Sequence, residues 1–134
     1  MADLFSYAGK RVVLTGGATG IGAALVDLLD DLGVEHLTIL DIKAPSGRCD
    51  RYIETDLADP RSIDAAIAQL DGPIDVLFSN AGVAATAGVR TCMAVNVAAS
   101  RRLTDGLFDR IAKGGTIVYT CLLYTSDAAD DTPC

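Results

Sequence analysis

The eight residues from Thr15 to Gly22, Thr-Gly-Gly-Ala-Thr-Gly-Ile-Gly, stand directly after the apolar run Val12-Val13-Leu14 and directly before a helix-patterned stretch. A strand that enters a helix through Gly16, Gly20 and Gly22 bends sharply and leaves its backbone bare. A pyrophosphate can then approach the main-chain amides at the helix N-terminus. The attraction comes from unpaired amide donors and the positive end of the helix dipole. A purely structural turn is the alternative for such an octet. The surroundings favour the nucleotide reading: the apolar strand comes first, the helix follows, and Asp41 stands 19 positions after Gly22 at the end of the next apolar run. Within the bend, the candidate cofactor contacts are Gly16, Ala18, Thr19, Gly20, Ile21 and Gly22.

A chain of 134 residues is one domain at most. Half its residues are hydrophobic and 22% are charged, which excludes a disordered chain, and no apolar run approaches the roughly 20 residues a bilayer requires. The start, Met-Ala-Asp-Leu-Phe, lacks a basic segment followed by an apolar core, so no signal peptide is expected. The net charge of −7 disfavours nucleic acid and anionic membranes as partners. Cys49, Cys92, Cys121 and Cys134 are scattered without a Cys-x-x-Cys pair, and His36 is the single histidine. Zinc and a disulfide framework are therefore not expected, His36 reads as a solvated strand-edge residue, and a reducing cytoplasm fits best.

Strand and helix patterns alternate along the chain. Strands are expected at Arg11 to Thr15, His36 to Asp41, Arg51 to Thr55, Ile74 to Phe78 and Thr116 to Thr120. In the first helix, Ile21, Leu25, Leu28, Leu29 and Leu32 are read as the apolar face, with Gly33 closing the C-terminus. Asp59-Pro60 reads as the start of a second helix whose stripe is Ile63, Ala66, Ile67 and Leu70; a longer helix is expected from Thr91 to roughly Ala112. Strands separated by helices imply right-handed crossovers and a doubly wound parallel α/β sheet in the order 3-2-1-4-5. The ligand crevice then lies at the carboxyl ends of the strands, where the order reverses.

Over roughly residues 8 to 120 the chain resembles the short-chain dehydrogenase/reductase family, whose nucleotide-binding domain has the Rossmann fold. Four motifs stand in the family's order. Thr15-Gly16-x-x-x-Gly20-x-Gly22 matches the cofactor loop. Asp56-Leu57 resembles the adenine-contacting pair. Asn80-Ala81-Gly82 resembles the Asn-Ala-Gly motif, with Ser79 replacing the usual preceding Asn. Asn96-Val97 resembles the helix pair whose asparagine bends the helix and holds a proton-relay water. Taken singly, Asn80-Ala81-Gly82 also reads as an ordinary strand-end turn and Asn96 as a solvated helix residue. The short gap between Gly82 and Asn96 is similar to the branch of bacterial 3α-hydroxysteroid and coniferyl-alcohol dehydrogenases. The resemblance implies a small-molecule alcohol or ketone substrate, a parent that is a homodimer or homotetramer, and a nicotinamide cofactor. Asp41, placed to accept bonds from both adenosine-ribose hydroxyls and to repel a 2′-phosphate, makes NAD the expected cofactor over NADP. Thr19 is neutral where NADP-preferring relatives often carry a basic residue, and Lys43 is expected to point to solvent.

The chain departs from the family in its chemistry. Relatives use a Tyr-x-x-x-Lys pair as base, with the ammonium stabilising the phenolate. Here Tyr7, Tyr52, Tyr119 and Tyr124 are followed four positions later by Arg11, Asp56, Leu123 and Ala128, and Lys113 is the last lysine. Ser126 does not fall where the family places its substrate-holding serine. Of the four catalytic residues that the resemblance implies, only Asn96 has a counterpart. The stretch from Cys121 to Asp131 resembles a translated transposase-adapter sequence from DNA library preparation. Residues 1–120 are accordingly expected to be an incomplete cofactor-binding domain cut short after strand five, and residues 121–134 a non-native tail.

Two functions compete. The chain is the cofactor-binding half of an NAD-dependent alcohol/ketone oxidoreductase and inactive by itself, or it is a non-catalytic module that senses NAD. A sugar-nucleotide epimerase would need Gly rather than Thr19 in a Thr-Gly-x-x-Gly-x-x-Gly spacing. The nucleotide record provides a test of the tail: the codons for Cys121 to Asp131 are expected to spell the adapter, and any other spelling ends that reading.

Overall fold

The computed structural model of the chain describes residues 2–121. Tyr124, Ser126, Cys134 and the expected foreign tail beyond Cys121 lie outside them. Five parallel strands form one sheet in the order β3-β2-β1-β4-β5: β1 is Arg11–Thr15, β2 His36–Asp41, β3 Arg51–Glu54, β4 Ile74–Ser79 and β5 Ile111–Tyr119. The order is the expected one, and the first four strands begin at the expected residues.

The sheet is covered on both sides because its strands alternate. Val12, Leu14, Leu37 and Ile39 face helix α1 (Gly20–Asp31) with Val26, Leu29 and Val34. Val13, Leu40, Ile53 and Leu77 face the other way, onto α2 (Pro60–Gln69) and α4 (Ala99–Leu107), where Ile63, Leu70, Leu103 and Leu107 complete the layer.

Helix α2 starts as its sequence suggests. Pro60 occupies the first turn and the Asp59 carboxylate accepts a bond from the Arg61 amide at 2.9 Å. Helix α1 ends in paired closing bonds, from the Gly33 amide to the Asp30 carbonyl and from the Val34 amide to the Leu29 carbonyl, both 3.0 Å. Val34 then packs into the same cluster as Leu29, which completes the C-terminal motif. Arg102 of α4 donates two bonds of 2.7 Å to the Asp64 carboxylate of α2, and that pairing holds the Asp64 carboxyl below its ordinary pKa.

Four expectations are corrected. In α1 the buried residues are Gly22, Val26 and Leu29, whereas Ile21 is 68% and Leu28 51% exposed. Gly22 lies against the glycine bend and fixes the rotation of the helix, turning Ile21 and Leu28 outward. The long helix runs from Val89 rather than Thr91 and ends at Leu107, not near Ala112: α3 (Val89–Cys92), a π-helical stretch (Met93–Ala98) and α4 follow end to end, closed by a 3-10 turn at Phe108–Arg110. Strand β5 begins at Ile111, not Thr116, because Ile111 pairs with Ile74. A bulge follows: β4 advances from Ile74 to Val76 while β5 advances from Ile111 to Thr116. His36, expected to be solvated, is half-buried in an interior strand between β1 and β3.

Truncating Leu107, which has no exposed surface, should lower the unfolding free energy by about 2–5 kcal/mol, while Leu28→Ala should change it by less than about 0.5 kcal/mol. Urea titrations followed by circular dichroism compare the two; equal losses would contradict the rotation assigned to α1.

Candidate functional site

The carboxyl ends of β1 and β4, adjacent strands on either side of the point where the chain order reverses, bring the glycine bend and the Asn80-Ala81-Gly82 turn together. A β-carbon added at Gly16 would lie 2.8 Å from the Ala81 Cα, and one at Gly22 would lie 1.7 Å from the Gly16 carbonyl oxygen. No side chain fits either gap. Gly16 also holds φ +75°, a conformation that glycine adopts without strain. The third glycine of such a bend serves close helix–strand contact, and Gly22 does that here.

Helix α1 opens without a side-chain cap, since Thr19 makes no capping bond, in contrast to Asp59 at α2. The amides of Gly20, Ile21 and Gly22 lie in the first turn, where no carbonyl within the helix can reach them. Thr19, Gly20 and Ile21 are exposed. A bare helix N-terminus of this kind fits a pyrophosphate.

Asp41 ends β2 beside this bend. One carboxylate oxygen accepts the Ala18 amide at 2.9 Å and the other the Lys43 amide at 3.0 Å. The Ala18 amide is thus engaged by Asp41, and the carboxylate keeps free lone pairs for hydroxyl donors. The Asp41 main-chain carbonyl accepts from the Tyr52 hydroxyl at 3.1 Å. Loss of solvent, then the neighbouring Glu54 and Asp41 carboxylates, raise the Tyr52 phenol above its ordinary pKa, so it stays a donor at neutral pH. Asp56 is exposed; one of its carboxylate oxygens accepts the Ala58 amide at 2.9 Å. Leu57 is half-buried against the α2–α4 core layer.

The bonds that tie these pieces together were not readable from the sequence, although Thr15, Ser79 and Asn80 all stand in its motifs. The Thr15 hydroxyl, fully buried, accepts the amides of both Asn80 and Ala81 at 3.0 Å and so ties β1 to β4. Asn80 lies against Gly22, and its side-chain oxygen accepts from the Thr120 hydroxyl at 3.1 Å. Ser79, in the position where the family usually carries Asn, donates to the Ser100 hydroxyl of α4 at 2.9 Å.

Asn96 falls within the π-helical stretch and is half-buried, so the solvated-residue alternative fails. Its side chain accepts the Val83 amide at 2.8 Å and donates to the Val83 carbonyl at 2.9 Å. Its amide oxygen and nitrogen thus each bond to Val83 in the loop after Gly82. The Asn80-Ala81-Gly82 turn is bonded to the first strand and packed against the glycine bend. Among the described residues there is no cluster that could hold a metal ion, and no helix is long and apolar enough to cross a membrane.

A doubly wound parallel sheet whose bare helix N-terminus and acidic strand end meet at the switch point is the architecture of a dinucleotide-binding protein. The chain matches the family model described as short chain dehydrogenase over residues 10–129 and belongs to that family. Coniferyl-alcohol dehydrogenase of Pseudomonas sp. (strain HR199 / DSM 7063) is 38% identical over 109 residues, covering 81% of this chain and 42% of the relative. Among solved structures, a short chain dehydrogenase from Burkholderia cenocepacia J2315 in complex with NADP is 27% identical with a TM-score of 0.73, covering 84% of this chain and 55% of that one. An oxidoreductase of the family from Brucella ovis, in complex with a partially ordered NAD, is 26% identical with a TM-score of 0.68, covering 81% and 60%. The chain spans less than half the length of such curated relatives.

Replacing Thr15 by Val keeps its shape and leaves the Asn80 and Ala81 amides without their acceptor. The expected loss is about 1–3 kcal/mol of unfolding free energy, with Thr15→Ser retaining most of it. Denaturant midpoints of the two variants check this; a neutral Thr15→Val would remove the bridge from the account.

Proposed function

We propose that this chain is the cofactor-binding part of an NAD-dependent oxidoreductase acting on an alcohol or ketone. Family membership supports an oxidoreductase. The observation that carries the reading is the uncapped first turn of α1 standing beside the Asp41 carboxylate. In it, the amides of Gly20, Ile21 and Gly22 receive the pyrophosphate, Asp41 accepts the adenosine-ribose hydroxyls, Asp56 and Leu57 border the adenine, and Asn80, Ala81 and Gly82 support the nicotinamide half. The bound dinucleotide supplies the hydride acceptor. Asn96 shapes the loop after Gly82 through Val83.

The preference for NAD is electrostatic. Asp41 and Glu54, register partners at the ends of β2 and β3, set two carboxylates near the place where a 2′-phosphate would sit. Lys43 is a single exposed cation beside them. A phosphate dianion is repelled there, whereas two hydroxyls gain acceptors. The 134 residues contain no Tyr-x-x-x-Lys, so the chain is proposed to bind cofactor without turning over substrate. That absence also suits a non-catalytic NAD-sensing module, and a Tyr-x-x-x-Lys downstream in the source reading frame would decide for the enzyme. Assembly of the parent as a homodimer or homotetramer and a cytoplasmic location belong to the same proposal.

Fluorescence or calorimetric titration of the chain with NADH and NADPH tests the reading. NADH should bind at least about tenfold more tightly, and Asp41→Ala should narrow that ratio while weakening NADH by roughly 1–2 kcal/mol, since the Ala18 amide also loses its partner. Equal affinity for both dinucleotides would overturn the NAD assignment, and affinity for neither would overturn the cofactor site.

A further inference from the structure

At the opposite end of the sheet, below the amino ends of β1 to β3, lies a cleft of about 140 Å³ lined by Arg11, His36, Thr38, Arg51 and Asp71 among others. Its side chains share a face by register. Arg11 pairs with His36, and Val13 with Thr38, which in turn pairs with Arg51, so all five residues point toward the α2 side of the sheet.

The cleft holds donors that the fold does not use. Among the described residues four polar side chains are buried: Thr15, Thr38, Thr55 and Ser79. The Thr15, Thr55 and Ser79 hydroxyls all hydrogen-bond. Thr38, 4% exposed, makes no side-chain hydrogen bond among the described residues, and its oxygen is not sealed from the cleft. Arg11 gives only its Nε to the Pro73 carbonyl, at 3.3 Å, and Arg51 gives one Nη to Asp71 at 3.1 Å. The rest of both guanidinium forks is uncommitted. These cations are not needed to cap α2 either, because Arg110 already donates to the Ile67 and Leu70 carbonyls at the end of that helix. Asp75, the nearby carboxylate of β4, is turned to the Arg11 amide at 2.7 Å.

The lining therefore sets two guanidiniums and an imidazole against one carboxylate, in a chain whose net charge is −7. The volume matches a few water molecules at roughly 30 Å³ each, or one tetrahedral ion. A buried hydroxyl without a protein partner and two partly free guanidinium forks converging on such a space form a receptor for oxygen acceptors.

We propose that this cleft is a second ligand site, separate from the dinucleotide site, that binds a small free oxyanion of phosphate or carboxylate type. Arg11 and Arg51 supply the charge-assisted donors and the Thr38 hydroxyl supplies a neutral one.

The test is a titration of the full ¹⁵N-labelled chain with sodium phosphate, and separately with sodium acetate, at ionic strength held constant with sodium chloride. Saturable shifts of the His36, Thr38, Arg51 and Asp71 amides are expected with phosphate, acetate or both, and the stronger of the two names the ion. Arg51→Met should weaken the response by about fivefold or more and Thr38→Val by about threefold. Thr38→Val should not lower the thermal midpoint, since it removes a hydroxyl with no partner. Shifts confined to Gly20, Ile21 and Gly22 would assign the anion to the glycine bend and overturn the proposal. So would the absence of saturation, an unchanged affinity in Arg51→Met, or an undispersed spectrum, because the cleft exists only in the assembled sheet. Adding NADH separates the two sites: its binding, or failure to bind, is read at the glycine bend and leaves the amino-end measurement intact.

Discussion

The contact between Gly22 and the Gly16 carbonyl oxygen is the constraint on which the rest depends. With no side chain at position 22, α1 lies directly on the turn that leaves β1, at a distance no other residue allows. That closeness fixes the rotation of the helix, and three consequences follow from one geometry. Val26 and Leu29 become the core face, Ile21 turns out to solvent beside the bend, and the first-turn amides stand uncapped over the switch point of the sheet. A methyl group at Gly22 would disturb the core and the site together.

This contact also explains what the sequence could and could not disclose. Strands β1, β2 and β4 were legible because each is a largely apolar run with a turn signal at its end; β3, Arg51-Tyr52-Ile53-Glu54, was legible from its place in the alternation. Helix α2 was legible because Asp59-Pro60 marks its start with local chemistry. The apolar face of α1 was legible only in part. Of the stripe Ile21, Leu25, Leu28, Leu29 and Leu32, Leu29 is buried and Leu25 packs against the core, whereas a tertiary contact adds Gly22 and Val26 and leaves Ile21 and Leu28 exposed. The start of β5 was hidden for a related reason: Ile111 and Ala112 continue the apolar rhythm of the preceding helix, and only pairing with Ile74 assigns them to the sheet.

The candidate site divides along the same line. The glycine octet, Asp41 and the Asn80 turn announce themselves through residue type and order. The bonds that hold them do not, even where the residues themselves stand out, because they act across long stretches of chain. Thr15 reaches the Asn80 and Ala81 amides, 65 and 66 positions away, and Asn96 grips Val83, 13 positions away. On one side of the long helix, Asn96, Ser100 and Thr104 recur at four-residue spacing. They bond respectively to Val83, to Ser79 and, at 2.6 Å, to Tyr119. Thr104 already donates to the Ser100 carbonyl at 2.8 Å, so the Tyr119 hydroxyl is the donor in the last pair. This polar ladder registers the helix against β4, the loop beyond it and β5. Nothing in the sequence taken residue by residue distinguishes its members from solvated helix positions.

Charge follows the polarity of the fold. In a parallel sheet with helical crossovers, helix N-termini gather at the carboxyl ends of the strands and helix C-termini at the amino ends. The side chains offset both. Asp41, Glu54, Asp56 and Asp59 cluster where helix N-termini bring positive ends, and Arg11, Arg51 and Arg110 stand where the carbonyls of α2 terminate. Each edge nonetheless retains donors that this compensation does not consume. At the carboxyl edge they are main-chain amides in the uncapped first turn of α1, with Asp41 and Glu54 nearby, the groups to which the proposed NAD preference is assigned. At the amino edge they are guanidinium forks and one buried hydroxyl, adaptable and suited to a small compact ion. The alignment of dipoles by itself favours an anion only at the carboxyl edge; at the amino edge, in the second site proposed above, the attraction would come from the guanidinium side chains against the dipoles.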